Sequence, residues 1–255
     1  MSRQGGALSV QELAKSYGGV RAVDGVSFEV PSGSLSGMIG PNGAGKSTVL
    51  GMVAGAIKPD RGSILLDGHQ IAGLPPHRTA RRGVTRTFQA ASVFSHLTVI
   101  ENLLLGASPW FGERIADSLV MRRRWHREEN AQVLAARELL ERLELLRHAD
   151  TFAGELSGGQ KRLVELGRAM MARPRLLLLD EPVAGVSRTL IPVVETLITE
   201  LRDQGVTILL VEHELAVVDR LCSPVIVLAQ GRVLIQGEME ECRADPEVRK
   251  AYLVG

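Results

Sequence analysis

Cysteine is nearly missing from this sequence of 255 residues: Cys222 and Cys242 are the only two. Two thiols cannot build a disulfide framework, and neither stands in a metal-spaced cluster, so a reducing, intracellular setting is the simpler expectation. Aromatic residues make up only 4% of the chain, so any aromatic near a motif carries weight. No stretch reaches the roughly 18–20 consecutive apolar residues needed to cross a bilayer. The densest runs are Leu176–Leu179, Val206–Val211 and Val225–Ala229. The opening residues MSRQGGALSV lack the apolar centre of a secretion signal. Any work at a membrane is therefore expected to pass through a partner. An excess of one charge is lacking too: 30 basic residues face 29 acidic ones, a formal net charge of +1. That balance argues against a whole-protein nucleic-acid binder, whose phosphate contacts call for a basic excess. Internal repeats and low-complexity tracts are also missing.

The chain does hold enough apolar material for a substantial core, at 45% hydrophobic and 23% charged residues. Leu35–Ile39, Leu176–Leu179, Val206–Val211 and Val225–Ala229 read as buried strands. Ala131–Leu146, Lys161–Ala172 and Glu195–Arg202 carry helical period. Such alternation predicts an α/β architecture around a largely parallel sheet. Ser27–Val30, Ile64–Leu66 and Val233–Ile235, the last after a Gln230-Gly231 turn, read as antiparallel or edge strands. Between about Arg86 and Glu165 the texture changes, with few strand-like runs, a Pro109–Gly112 breaker and the basic cluster Arg122–Arg124 with Arg127. The expected organisation is a core of residues 1–85 and 166–255 interrupted by a helical insertion over 86–165.

The sharpest local signal is Gly40-Pro41-Asn42-Gly43-Ala44-Gly45-Lys46-Ser47-Thr48, which fits G-x-x-x-x-G-K-[ST]. A strand precedes it and a helix-compatible run, Thr48–Ala54, follows. Glycines let successive N–H groups curl around one anion, and the helix start adds positive dipole. Lys46 would set its charge on β- and γ-phosphates, and the Ser47 hydroxyl would ligate Mg²⁺. This is the pattern of a nucleotide-phosphate site.

Leu176–Leu179 runs into Asp180-Glu181-Pro182, a buried strand ending in two carboxylates. Beside a phosphate loop, Asp180 would hold Mg²⁺ through water near Ser47, leaving Glu181 free to polarise an attacking water. Upstream, Leu156-Ser157-Gly158-Gly159-Gln160 opens a helix with Ser157 as a natural N-cap. It is either a plain loop and cap or a second anion-binding device, for the γ-phosphate of a nucleotide held by another subunit.

The ordered set GPNGAGKST (40–48), RTFQ (86–89), LSGGQ (156–160), LLLLDEP (176–182) and VEHE (211–214) resembles the nucleotide-binding subunit of an ATP-binding-cassette (ABC) transporter. The likeness runs over essentially the whole chain. It implies an ABC-type P-loop NTPase fold: a mixed, mostly parallel sheet, an antiparallel β subdomain and a helical subdomain ending in LSGGQ. By that resemblance Tyr17, expected before the first strand pair, stacks on adenine. Gln89 contacts Mg²⁺ and water and senses the membrane partner. Ser157, Gly158, Gly159 and Gln160 touch the opposite subunit's ATP, Glu181 is the catalytic base, and His213 is the γ-phosphate switch. Taken alone, Tyr17 also has the plainer reading of an ordinary half-buried aromatic, and His213 that of a polar strand terminus. His69, His77, His96, His126 and His148 form no metal-spaced group and read as surface or structural.

RTFQ, LTVIENLLLGA (97–107), EPVAGV (181–186) and the tail ADPEVRKAYLVG (244–255) look like the ATPase of branched-chain amino-acid importers. That resemblance implies an ATPase on the cytoplasmic face of the inner membrane, a second identical or related ATPase, permease subunits, and indirectly a solute-binding protein. Other readings are an ABC ATPase for urea, another amide or a lipid, or a soluble iron–sulfur assembly ATPase. Two departures stand out. Ser187 occupies a loop position where the family usually has Asp, and Pro192 falls where the next helix should be running, so it must delay or bend that helix.

Overall fold

The computed structural model describes residues 5–87, 93–107 and 122–253, with residues 122–128 and 253 described by backbone alone. The chain divides into two compact units. The first comprises residues 1–87, 174–181 and 197–255; the second comprises 88–173 and 182–196. Compared with a boundary at 165, the second unit also takes 166–173 and a stretch beyond the acidic strand.

The first unit is built on two sheets. β1 (Leu8–Tyr17), β2 (Val20–Val30), β4 (Arg61–Leu66) and β5 (His69–Gln70) form an antiparallel sheet in the order β2-β1-β4-β5. The other sheet has the order β10-β9-β3-β8-β7-β6. Its members are β3 (Leu35–Ile39), β6 (Val84–Arg86), β7 (Leu176–Asp180), β8 (Thr207–Val211), β9 (Val225–Ala229) and β10 (Arg232–Gly237). β6 to β9 and β3 pair in parallel, and only the edge strand β10 runs antiparallel. β3, β7, β8 and β9 are buried at every residue. Parallel strands covered on both faces read as unbroken apolar runs, which is why these four were visible. Each fully buried leucine of β7 contributes about 1.5–3 kcal/mol on transfer from water.

Helix α1 (Lys46–Val53) follows β3, and α2 (Pro76–Arg81) precedes β6. The second unit holds α3 (Val99–Gly106), α4 (Arg122–Arg142), α5 (Gly158–Met171) and the start of α6 (Ile191–Asp203). Back in the first unit, α7 (Leu215–Leu221), α8 (Met239–Ala244) and α9 (Pro246–Leu253) complete the chain. α3 opens with a capping box between Thr98 and Glu101. Fully buried Asn102 ties the preceding loop to α3 by bonding the Phe94 N–H and the carbonyls of Phe94, Leu97 and Thr98.

Two expectations need correction. Tyr17 does not precede the first strand pair but ends β1 at the hairpin into β2. Arg86 does not open the helical insertion; it closes β6 within the parallel sheet. Ahead of the next helix the Ser187 carbonyl accepts from the Leu190 and Ile191 N–H groups, and its hydroxyl meets Thr189. α6 starts at Ile191, so Pro192 sits in the first turn, where its missing N–H costs no helical bond. The Pro109–Gly112 breaker and the side chains of Arg122–Arg124, His126 and Arg127 lie outside the described residues. Cys222 and Cys242 are free and buried, and burial pushes the Cys222 thiol up to about 12. It stays protonated and inert at neutral pH.

Candidate functional site

β3 delivers the chain to Gly40, whose φ of +155° and tight surroundings demand glycine: a Cβ there would lie 2.0 Å from the Leu228 carbonyl. Gly45, at φ +104°, caps α1 and brings no side-chain acceptor to it. The first N–H groups of α1 are therefore not met by a side-chain cap, and with the helix dipole behind them they can receive an anion. Gly43 also has positive φ, and the Ala44 N–H bonds the Pro41 carbonyl, which closes the curl. Pro41 and Asn42 lie on the rim, while Ser47 is exposed and Thr48 half-buried in the first turn.

Lys46 is buried, and its ammonium donates to the carbonyls of Gly40 at 2.7 Å and Pro41 at 3.0 Å. Burial pulls its pKa below the usual lysine range, while Glu181 and Asp180 push it back up. Both carboxylates thus act electrostatically on Lys46.

Asp180 ends β7 almost fully buried at 1% exposure, with Oδ2 3.0 Å from Arg86 Nη2. Among the described residues its Oδ1 has no hydrogen-bond partner. A buried carboxylate oxygen left open is a donor suited to a divalent cation, and the Ser47 hydroxyl, exposed in the first turn of α1, is a second oxygen of the kind that Mg²⁺ takes, so these donors fit Mg²⁺. No group of three or more His, Cys, Asp or Glu side chains suited to a metal gathers among the described residues.

Glu181 turns out of the strand in the left-handed region, at φ +52°. Its Oε1 lies 2.9 Å from His213 Nε2. His213 follows β8, which pairs with β7 so that Val211 lies opposite Asp180. Adjacent parallel strands therefore deliver the carboxylate and the imidazole to one end of the sheet, where α/β folds bind ligands.

Tyr17 is 49% exposed, and the Lys15 ammonium lies 5.7 Å from the ring centroid. An exposed ring at a hairpin end can stack on a base. In the second unit, Ser157 caps α5 as expected, its hydroxyl accepting from the Gln160 N–H. Gln160 returns the bond through Oε1, completing a capping box that was not anticipated, and its side-chain amide lies 3.4 Å from His148 Nε2. Gly158 has open space about its Cα, whereas a Cβ on Gly159 would lie 3.0 Å from the Gly185 carbonyl. Gln89 lies outside the described residues. Sequence reasoning missed Arg86, which it placed only inside RTFQ, although a cation so close to that motif was its one visible signal.

A family model described as ABC transporter matches residues 23–184. The chain is 40% identical over 247 residues to the high-affinity branched-chain amino acid transport ATP-binding protein BraF of Pseudomonas aeruginosa, covering 96% of this chain and 97% of that one. It is 38% identical over 247 residues to LivG of Escherichia coli K12, which carries the same description, with 96% and 97% covered. Among solved structures, the ADP conformation of an ATP-binding cassette of an ABC transporter superposes with a TM-score of 0.81 at 36% identity, covering 98% of this chain and 99% of that one. Among the described residues no helix is long and apolar enough to cross a membrane.

Proposed function

This chain belongs to the ABC transporter family and is an ATPase of that family, and from this premise we propose that it drives uptake of branched-chain amino acids through a membrane permease. The observation that carries the reading is identity of 40% and 38% to two branched-chain transport ATP-binding proteins along 96% of the chain. The chain works at the cytoplasmic face of the membrane, bound to permease subunits, and a solute-binding protein supplies the solute. Solute choice belongs to those partners.

ATP is the substrate. Its adenine stacks on Tyr17, and its phosphates lie in the loop of Gly40 to Thr48 with Lys46 as the fixed cation. Ser47 and Asp180 would hold Mg²⁺, which when bound supplies charge neutralisation on the phosphates. Glu181 takes the proton of the attacking water. His213, in contact with Glu181, holds that carboxylate in place and serves as the switch at the γ-phosphate. A second ATPase, identical or related, faces the first head to tail. Its Ser157, Gly158, Gly159 and Gln160 complete the γ-phosphate site with backbone donors at a helix start. Gln89 links the site to the permease.

Co-expression with candidate permeases tests the proposal. The chain should be retained on membranes and energise saturable uptake of labelled leucine. Retention coupled to urea, amide or lipid transport instead would reassign the solute. A chain that stays in the soluble fraction with every permease would overturn the transport reading in favour of a soluble assembly ATPase.

A further inference from the structure

β6 is three residues long, yet its last residue reaches the carboxylate at the end of β7. Arg86 pairs in parallel register with Leu178. Asp180 lies two positions beyond Leu178, so Arg86 and Asp180 point to the same face of the sheet. The backbone also grips the acid at its base: Thr87 N–H donates to the Leu178 carbonyl, and the Asp180 N–H donates to Thr87 Oγ1 at 3.2 Å. The guanidinium lies against α1: a Cβ built on Gly51 would be in ordinary contact with Arg86 Nη1 at 3.5 Å, while the close approach that requires glycine there is to Ile57 Cδ1, at 2.5 Å. Arg86 thus stands between the helix that follows the phosphate loop and the acidic strand end.

The pair has two consequences for a divalent cation. Arg86 engages Oδ2 of Asp180 and leaves Oδ1, which has no partner among the described residues, as the oxygen on offer. The guanidinium also repels a second cation brought to the same carboxylate. Lys46 and Arg86 balance Asp180 and Glu181, two positive charges against two negative, so these four groups alone offer a metal little net attraction. Nucleotide phosphates would bring the missing negative charge.

We propose that Arg86 is a positioning residue for the metal carboxylate, presenting Asp180 Oδ1 and making the site take up Mg²⁺ only together with nucleotide phosphates. The inference rests on the reading of Asp180 as the magnesium carboxylate.

Titration of the full chain with Mn²⁺, followed by electron paramagnetic resonance with and without ADP, tests it without reference to turnover. Arg86→Met should raise nucleotide-free Mn²⁺ affinity by about ten-fold or more. Arg86→Lys, which keeps the charge, should bring the titration back towards wild type. Equal affinities in all three proteins would overturn the proposal. Should Arg86→Met fail to fold, the wild-type chain still decides: Mn²⁺ binding as tight without ADP as with it overturns the inference. Asp180→Asn separates the two readings. Unchanged Mn²⁺ binding with ADP in that variant removes Asp180 as the metal carboxylate; loss of the metal there, with no gain in Arg86→Met, removes only the role of Arg86.

Discussion

Glu181 and His213 are 32 positions apart in the chain, yet their side chains meet at 2.9 Å because β7 and β8 are neighbours in one sheet. If Glu181 is the proton acceptor, Glu181→Gln keeps the shape of the side chain and removes its basicity. Turnover should fall by about 100-fold or more, while equilibrium ATP binding stays close to wild type; single-turnover hydrolysis and a binding titration measure the two. Turnover within a few-fold of wild type would remove Glu181 from that role. At this scale the sequence was legible wherever the chemistry is contiguous. Lys46 and Ser47 stand inside one nine-residue motif, and Asp180 ends an apolar run. Contacts made by folding were not legible: Arg86 meets Asp180 across 94 positions, and no spacing rule foretells that. His213 beside Glu181 was approached only through family resemblance.

Elements with a strong period announced themselves, and those that break their period did not. β1 escaped notice because its alternation slips: register shifts fall between Val10 and Leu13, with Glu12 at φ +50°. A bulge moves the following side chains to the opposite face and erases the two-residue pattern. β6 is too short to show any period. α5 was legible from its amphipathic run, but its fit against α3 was not. Gly106 on α3 approaches so closely that a Cβ there would lie 2.0 Å from the Arg168 carbonyl on α5. Gly106→Ala should therefore force the two helices apart and destabilise the chain by about 1–3 kcal/mol. Urea unfolding followed by circular dichroism reads this as a lower midpoint, and an unchanged midpoint would refute the contact.

For the molecule as a whole, the fold class was legible because four parallel strands are buried end to end and appear as apolar runs. Partner and solute were reached only through family resemblance, since no motif in this chain is assigned to touch the solute. The central claim at this scale is that one chain holds the phosphate loop and the base for one ATP, and the Ser157–Gln160 donors for another. ATPase activity should then belong to paired chains alone. The direct measurement is specific activity across a dilution series, with the mass of the particles recorded on the same samples. The account predicts that activity per chain falls towards zero as pairs, with an identical or related ATPase, give way to monomers. Constant activity per chain in samples proven monomeric would contradict it.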